Sequence, residues 1–277
     1  MTIDEIIEQA LIEDTGDGDH TSLSVIPSGA LGRAHLLVKQ AGILAGVAIA
    51  EKVFKKVDPH IAFKQLIADG TRIQPGDIVF TVEGSSASIL MAERLALNFL
   101  QRMSGIATVT ASYVDRLKGL NTRVLDTRKT TPLLREIEKY SVKAGGGSNH
   151  RFGLYDMVMI KDNHVDFAGG IANAIHAANA YLKKTGRQLK IEIEVRNLDE
   201  MQQVLQTGGV HRIMLDNFTP ELLKKAVDLI GGRYETEASG GITLETIRAY
   251  AETGVDFISV GALTHHIKSL DLSLKAY

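Results

Sequence analysis

Apolar positions recur along this chain with a period that changes twice. Ile3, Ile6, Ile7, Ala10 and Leu11 are spaced as on one face of a helix, which predicts a first helix capped by Thr2 or Asp4 and closed near Gly16. From Gly32 to Leu90 the pattern is mainly strand and turn. It predicts strands over 33–40, 62–68, 78–83 and 88–90, a glycine-punctuated stretch over 41–48 and a helix over 49–57. Gln74-Pro75-Gly76-Asp77 is a turn by its own chemistry. A long helix over 91–117 follows, with Leu95, Phe99, Met103 and Ile106 as its core stripe and an interruption expected at Ser104-Gly105. Arg94 and Arg102 share one face of it, about two turns apart.

After Gly119 short apolar strands alternate with amphipathic helices, the signature of parallel βα units. The strands fall at 122–125, 157–160, 190–195, 212–215, 234–238 and 257–260, and the helices at 133–143, 171–184, 198–206, 220–230 and 244–252. Each strand ends in small or polar residues: Asp126-Thr127-Arg128-Lys129, Lys161-Asp162-Asn163-His164, Arg196-Asn197, Asp216-Asn217, Ser239-Gly240-Gly241 and Gly261-Ala262. Such groups recurring at successive strand ends belong on the C-terminal face of a barrel, and six strands make it an incomplete one. Ser239-Gly240-Gly241 and Gly261 end the last two strands, the usual place for a barrel phosphate site.

Charge sharpens this picture. The chain carries −2 overall, yet residues 125–164 hold seven Lys or Arg against five carboxylates. The cations Arg128, Lys129 and Lys161 directly follow apolar strands, so they face a shared cleft and suit an anionic small ligand. A pI near 6.5 speaks against nucleic acid as partner. The chain has no cysteine, which excludes disulfides and thiolate chemistry. It has no run of some 18 apolar residues and begins with an acidic amphipathic segment unlike a targeting peptide, so a cytoplasmic protein without a membrane anchor is expected.

Glu192 and Glu194 alternate with Ile191, Ile193 and Val195, which turns both carboxylates to one side of their strand. With Asp216 on the next strand they could hold a hard cation or a ribose, or they could form salt bridges to the cationic cluster. Lys161 could be a Schiff-base nucleophile, but several neighbouring cations fit a polyanionic substrate better. Gly145 to Arg151, including His150, reads as a phosphate cradle or as a turn, and is no P-loop because Gly-Lys-Ser/Thr is missing. His164 reads as a local cap, and Asp14, Asp17 and Asp19 as a solvated turn without the downstream glutamate of a calcium loop.

Further stretches carry a resemblance. Glu93-Arg94-Leu95-Ala96-Leu97-Asn98-Phe99-Leu100, Ser104-Gly105-Ile106-Ala107-Thr108, Asp126 to Pro132, Asn149-His150-Arg151, Lys161 to His164, Leu215-Asp216-Asn217 and Glu237 to Ile242 together resemble, in order, the quinolinate phosphoribosyltransferases, decarboxylating enzymes of NAD biosynthesis. The resemblance covers nearly the whole chain. It implies an α/β fold with an N-terminal α/β sandwich and linker helix over 1–112, an open α/β barrel of about six parallel strands over 113–265, and a tail over 266–277 packing back on the N-terminal domain. It implies Mg²⁺-dependent transfer of phosphoribosyl from phosphoribosyl pyrophosphate to quinolinate, in a homodimer or higher assembly with composite sites.

By motif, Arg128, His150, Arg151 and Lys161 would hold the quinolinate carboxylates, with Arg94 supplied by the partner subunit. Lys129 would meet the pyrophosphate, Glu194 and Asp216 the ribose hydroxyls and metal, and Ser239, Gly240, Gly241 and Gly261 the 5′-phosphate. Leu133 departs from the family, which often has glycine there, as do Lys143 and Ala144, where it often has arginine and cysteine. Paralogues acting on other aromatic acids are the alternative within the fold. A carrier or ligand-binding module would explain the turn around Gln74-Pro75-Gly76-Asp77 but not the converging strand ends.

Overall fold

The computed structural model describes residues 1–277, which form two compact units. The first comprises Met1–Ala111, Thr130–Gly146 and Ala262–Tyr277, the second Ser112–Lys129 and Gly147–Gly261.

In the first unit α1 (Ile3–Thr15) opens on a reciprocal capping box between Thr2 and Glu5 and ends at Gly16, whose φ of 50° stops it. Asp19 then caps a short α2 (His20–Val25) through a 3.0 Å bond from the Ser22 amide, so this acidic turn is used for capping. The chain continues through β1 (Leu31–Val38), β2 (Gly42–Ile43), α3 (Val47–Val57), β3 (Ala62–Gln65), β4 (Arg72–Ile73) and β5 (Ile78–Ser85). The Gln74–Asp77 turn closes through the Asp77 carboxylate, which accepts from the Gln74 amide at 2.8 Å.

The expected strand at 88–90 is instead the first turn of α4 (Ser86–Arg116). Three residues are too few for period to separate strand from helix. The expected break at Gly105 is also absent. A Cβ there would run into the Lys268 carbonyl, so the glycine permits a close approach of backbone and leaves the helix intact.

The four-stranded antiparallel sheet has the order β12-β1-β5-β3, where β12 (Leu272–Ala276) is the last element of the chain. Its core includes Leu36, Val53, Phe54, Phe80, Leu100 and Met103. The same core takes in Ile137 of α5 (Arg135–Ala144), which sequence pattern assigns to the barrel. The correction follows from where α5 buries its apolar face: residues 130–146 leave the barrel unit and join the first.

In the second unit β6 (Arg123–Leu125), β7 (Val158–Ile160), β8 (Ile191–Val195), β9 (Arg212–Asp216), β10 (Glu235–Ser239) and β11 (Phe257–Ser259) are the six expected strands. They form one parallel sheet ordered β6-β11-β10-β9-β8-β7. β6 and β7, first in sequence, lie at opposite edges and do not pair, which leaves the barrel open. Ser148 extends the β6 edge by one parallel bridge to Leu125. The helices are α6 (Asp162–Ala168), α7 (Ile171–Thr185), α8 (Leu198–Thr207), α9 (Pro220–Ile230) and α10 (Ile247–Ala251), and α11 (Ala262–His265) follows in the first unit. Every residue of β8 is buried, as expected of a parallel strand covered on both faces.

Candidate active site

Register decides which side chains face the barrel interior. Glu192 is level with Arg212, and Arg212 with Glu235, while Glu194 is level with Met214, Met214 with Glu237 and Glu237 with Phe257. Alternation places these on one face and Ile191, Ile193, Val195, Ile213 and Leu215 on the other. The barrel interior is therefore strongly charged.

Toward the C-terminal ends of the strands the candidate residues form two groups, one around Lys161 and one around Asp216. Lys161 precedes α6, and its Nζ lies 3.1 Å from Glu194 Oε2. His164 Nδ1 accepts from the Lys161 amide at 2.9 Å, so His164 is the local cap read from sequence. Arg128, Arg151, Lys161 and His164 line a cavity of about 560 Å³ floored by Met157 to Ile160. Burial first, and then the nearby positive charge of Arg128, depress the Arg151 guanidinium below its ordinary range. Two guanidinium groups this close form a site that an anion relieves. Lys129 is exposed on the same segment as Arg128, its amide donating to Thr127 Oγ1 at 3.0 Å.

On the neighbouring strands Ser239 Oγ donates to Asp216 Oδ1 at 2.6 Å, and Asn217 Nδ2 donates to Asp216 Oδ2 at 2.5 Å. Asn217 is left-handed at φ 58°, and its amide donates to the Ser239 carbonyl at 2.9 Å. Gly240 (φ 93°) and Gly241 (φ 62°) follow, and a Cβ on Gly240 would collide with the Asn217 side chain. Gly261 ends the next strand segment before α11.

Two residues sit apart from this description. Arg94 is exposed on α4 in the first unit. Arg102, which shares its sequence face, instead pairs with the buried Glu138 at 2.5 Å and donates to Thr131 at 2.7 Å within that unit.

His150 is drawn inward. Its side chain is 4% exposed, with Nε2 3.0 Å from Glu192 Oε2 and 3.3 Å from Glu237 Oε2. Arg212 NH1 lies 2.9 Å from the same Glu237 oxygen, and its NH2 lies 3.0 Å from Glu235. Burial lowers the imidazole's proton affinity, but the two carboxylates prevail and push its pKa up to about 9. The Arg151 amide, 2.6 Å from Nδ1, opposes a second ring proton. That single amide contact is set against two buried carboxylates at 3.0 and 3.3 Å, and their negative charge sets the direction. Burial and the charge of Glu237 raise Glu192. Glu237 is lowered because its bond from His150 and the charge of Arg212 outweigh its burial.

Sequence reasoning paired Glu192 with Glu194, but the fold separates their partners. Glu194 meets Lys161 at the mouth, while Glu192 joins His150 and Arg212 in the interior. The sequence reading gives neither Glu237 nor Arg212 a role in the site, although Glu237 opens one of the family-like stretches. Their signal was a charge at an inward strand position matching that of Glu192.

Sequence models of the quinolinate phosphoribosyl transferase N-terminal and C-terminal domains match residues 19–104 and 106–275. The chain belongs to the quinolinate phosphoribosyltransferase family. Quinolinate phosphoribosyltransferase [decarboxylating] 1b of Nicotiana tabacum is 46% identical over 98% of this chain and 81% of its own length. A probable nicotinate-nucleotide pyrophosphorylase [carboxylating] of Bacillus subtilis is 40% identical over 99% of this chain and 93% of its own. The crystal structure of NadC from Streptococcus pyogenes superposes with a TM-score of 0.94 at 41% identity, covering 99% of this chain and 95% of that one. This member of the quinolinate phosphoribosyltransferase family is thus an enzyme of the pentosyltransferase class, with an antiparallel N-terminal sheet and an open parallel barrel. Human nicotinic acid phosphoribosyltransferase shares the fold alone, at 12% identity and a TM-score of 0.60. No helix of the chain is long and apolar enough to cross a membrane.

Proposed function

We propose that this chain transfers the phosphoribosyl group of phosphoribosyl pyrophosphate to quinolinate with decarboxylation, giving nicotinate mononucleotide, CO₂ and pyrophosphate. The observation that carries this reading is the pairing of Arg128 with Arg151 beside Lys161 on one cavity. Three cations on one wall match a ligand with two adjacent carboxylates better than a monocarboxylate. The name of the tobacco relative supports the same substrate, and that of the Bacillus relative supports the nicotinate nucleotide as the other side of the reaction.

In this reading Arg128, Arg151 and Lys161 hold the carboxylates, with His150 behind them and Arg94 reaching in from the partner subunit of a homodimer. Lys129 meets the pyrophosphate. The turn Ser239-Gly240-Gly241, with Gly261, takes the 5′-phosphate, and Glu194 and Asp216 take the ribose hydroxyls. Glu194 and Asp216 are also suitable for Mg²⁺, since they offer carboxylate oxygens on adjacent strands and that ion is usually held by one or two carboxylates plus substrate oxygens. When bound, Mg²⁺ supplies charge neutralisation at the pyrophosphate.

The chain's own part is positional and electrostatic. Its cations offset the substrates' many negative charges and let the pyridine nitrogen approach the ribose carbon. Pyrophosphate leaves through an oxocarbenium-like transition state and the ring nitrogen bonds to the anomeric carbon. The cationic ring nitrogen stabilises the electron pair left on C2 as the 2-carboxylate departs as CO₂, and a proton from water then bonds to that carbon. No residue needs to form a covalent intermediate.

The test is ¹⁴CO₂ release from carboxyl-labelled quinolinate with phosphoribosyl pyrophosphate and Mg²⁺, run beside nicotinate. Release that requires both substrates is expected. Turnover of nicotinate without any release from quinolinate would move the chain to a paralogous activity.

A further inference from the structure

The barrel interior contains a charged network larger than the substrate reading uses. Glu192 and Glu237 have no exposure at all and Arg212 has 8%. Arg212 joins both acids, at 3.9 Å and 2.9 Å, and each acid reaches His150 Nε2. Arg212 also lies over the Phe257 ring, 4.0 Å from its centroid, which fixes the guanidinium from a second side. Barrel interiors are ordinarily filled by branched apolar residues, and a buried ion pair seldom gains stability over such packing. Stability alone is a poor reason for this network.

Its geometry gives a better one. The network holds the His150 ring, while Asp126, itself fully buried, accepts from the His150 amide at 2.9 Å. The Arg151 amide closes on Nδ1 of that ring, and the Arg151 guanidinium donates to the Met157 carbonyl at 3.3 Å. The backbone that presents Arg151 to the cavity is thus clamped through His150.

We infer that Glu192, Glu237 and Arg212 are positioning residues, an ion-pair ladder in the barrel interior that fixes His150 and thereby aims Arg151 at the anion cavity. The inference rests on the quinolinate reading above and names residues that touch no substrate.

The experiment is calorimetric titration of quinolinate into wild type, Glu192→Gln and Glu237→Gln, with the KM for each substrate measured in parallel. Quinolinate Kd and KM should rise about tenfold or more, with the KM for phosphoribosyl pyrophosphate within about twofold of wild type. A purely structural role would lower the melting temperature and leave quinolinate affinity unchanged, which would overturn the inference.

If the single variants fail to fold, the charge-balanced Glu237→Gln/Arg212→Met protein decides: weakened quinolinate binding supports the ladder, and normal binding overturns it. His150, Glu192 and Glu237 also present ligand atoms within 4.8 Å of one another. One equivalent of zinc or cobalt in the purified protein, lost in Glu192→Gln, would therefore overturn it in favour of a metal centre. If wild type itself does not bind quinolinate, the substrate reading has failed and the ladder falls with it. Binding by wild type with undiminished binding by the variants sinks the ladder alone.

Discussion

Leu133 shows how much one residue can store. It is left-handed at φ 68° and 65% exposed, at the position where the family resemblance expects glycine. An L-residue in that conformation costs about 1–2 kcal/mol, and this side chain recovers little by burial. Leu133→Gly should therefore stabilise the protein by about 1 kcal/mol in chemical denaturation, with no loss of turnover. His150 carries the second residue-scale expectation. Its folded pKa, about 9, lies above the ordinary 6.5, so its stabilisation is complete below pH 6.5 and lost as pH rises through 9. Glu192, raised by burial, loses stabilisation in the same direction. Melting temperature should fall by several degrees between pH 6 and pH 10, and that fall should flatten in His150→Asn.

Among the elements, the turns after the strands matter more than the strands themselves. The turn after β10 depends on Gly240, because a side chain there meets both a positive φ and the Asn217 amide group. Gly240→Ala should raise the KM for phosphoribosyl pyrophosphate on the order of tenfold or more while leaving quinolinate binding near wild type, as two separate titrations would show. Equal loss for both substrates would mean that the turn supports the barrel rather than the phosphate. α4 makes the opposite point, since Gly105 reads as a break in sequence and serves as a contact in the fold.

At the scale of the whole molecule the proposal is a homodimer with a composite site, and subunit mixing tests it. Arg94→Ala and Lys161→Ala homodimers should each be nearly inactive. Unfolded and refolded together in equal amounts, they should recover about a quarter of wild-type activity, because half the dimers then hold one intact site. No recovery would place Arg94 and Lys161 in the same subunit's site. The sequence by itself determined the six barrel strands, most of their helices and the strand ends that carry Arg128, Lys161 and Asp216, because alternation and turn chemistry are local. It also carried the family, through motifs spread along the chain. Only tertiary structure decided that α5 packs in the first unit's core, that Gly105 leaves its helix unbroken, and that Glu192 and Glu194 serve different partners. It alone joined Glu237 and Arg212 to His150, since register between strands far apart in sequence sets which charges meet, and no local pattern encodes that register.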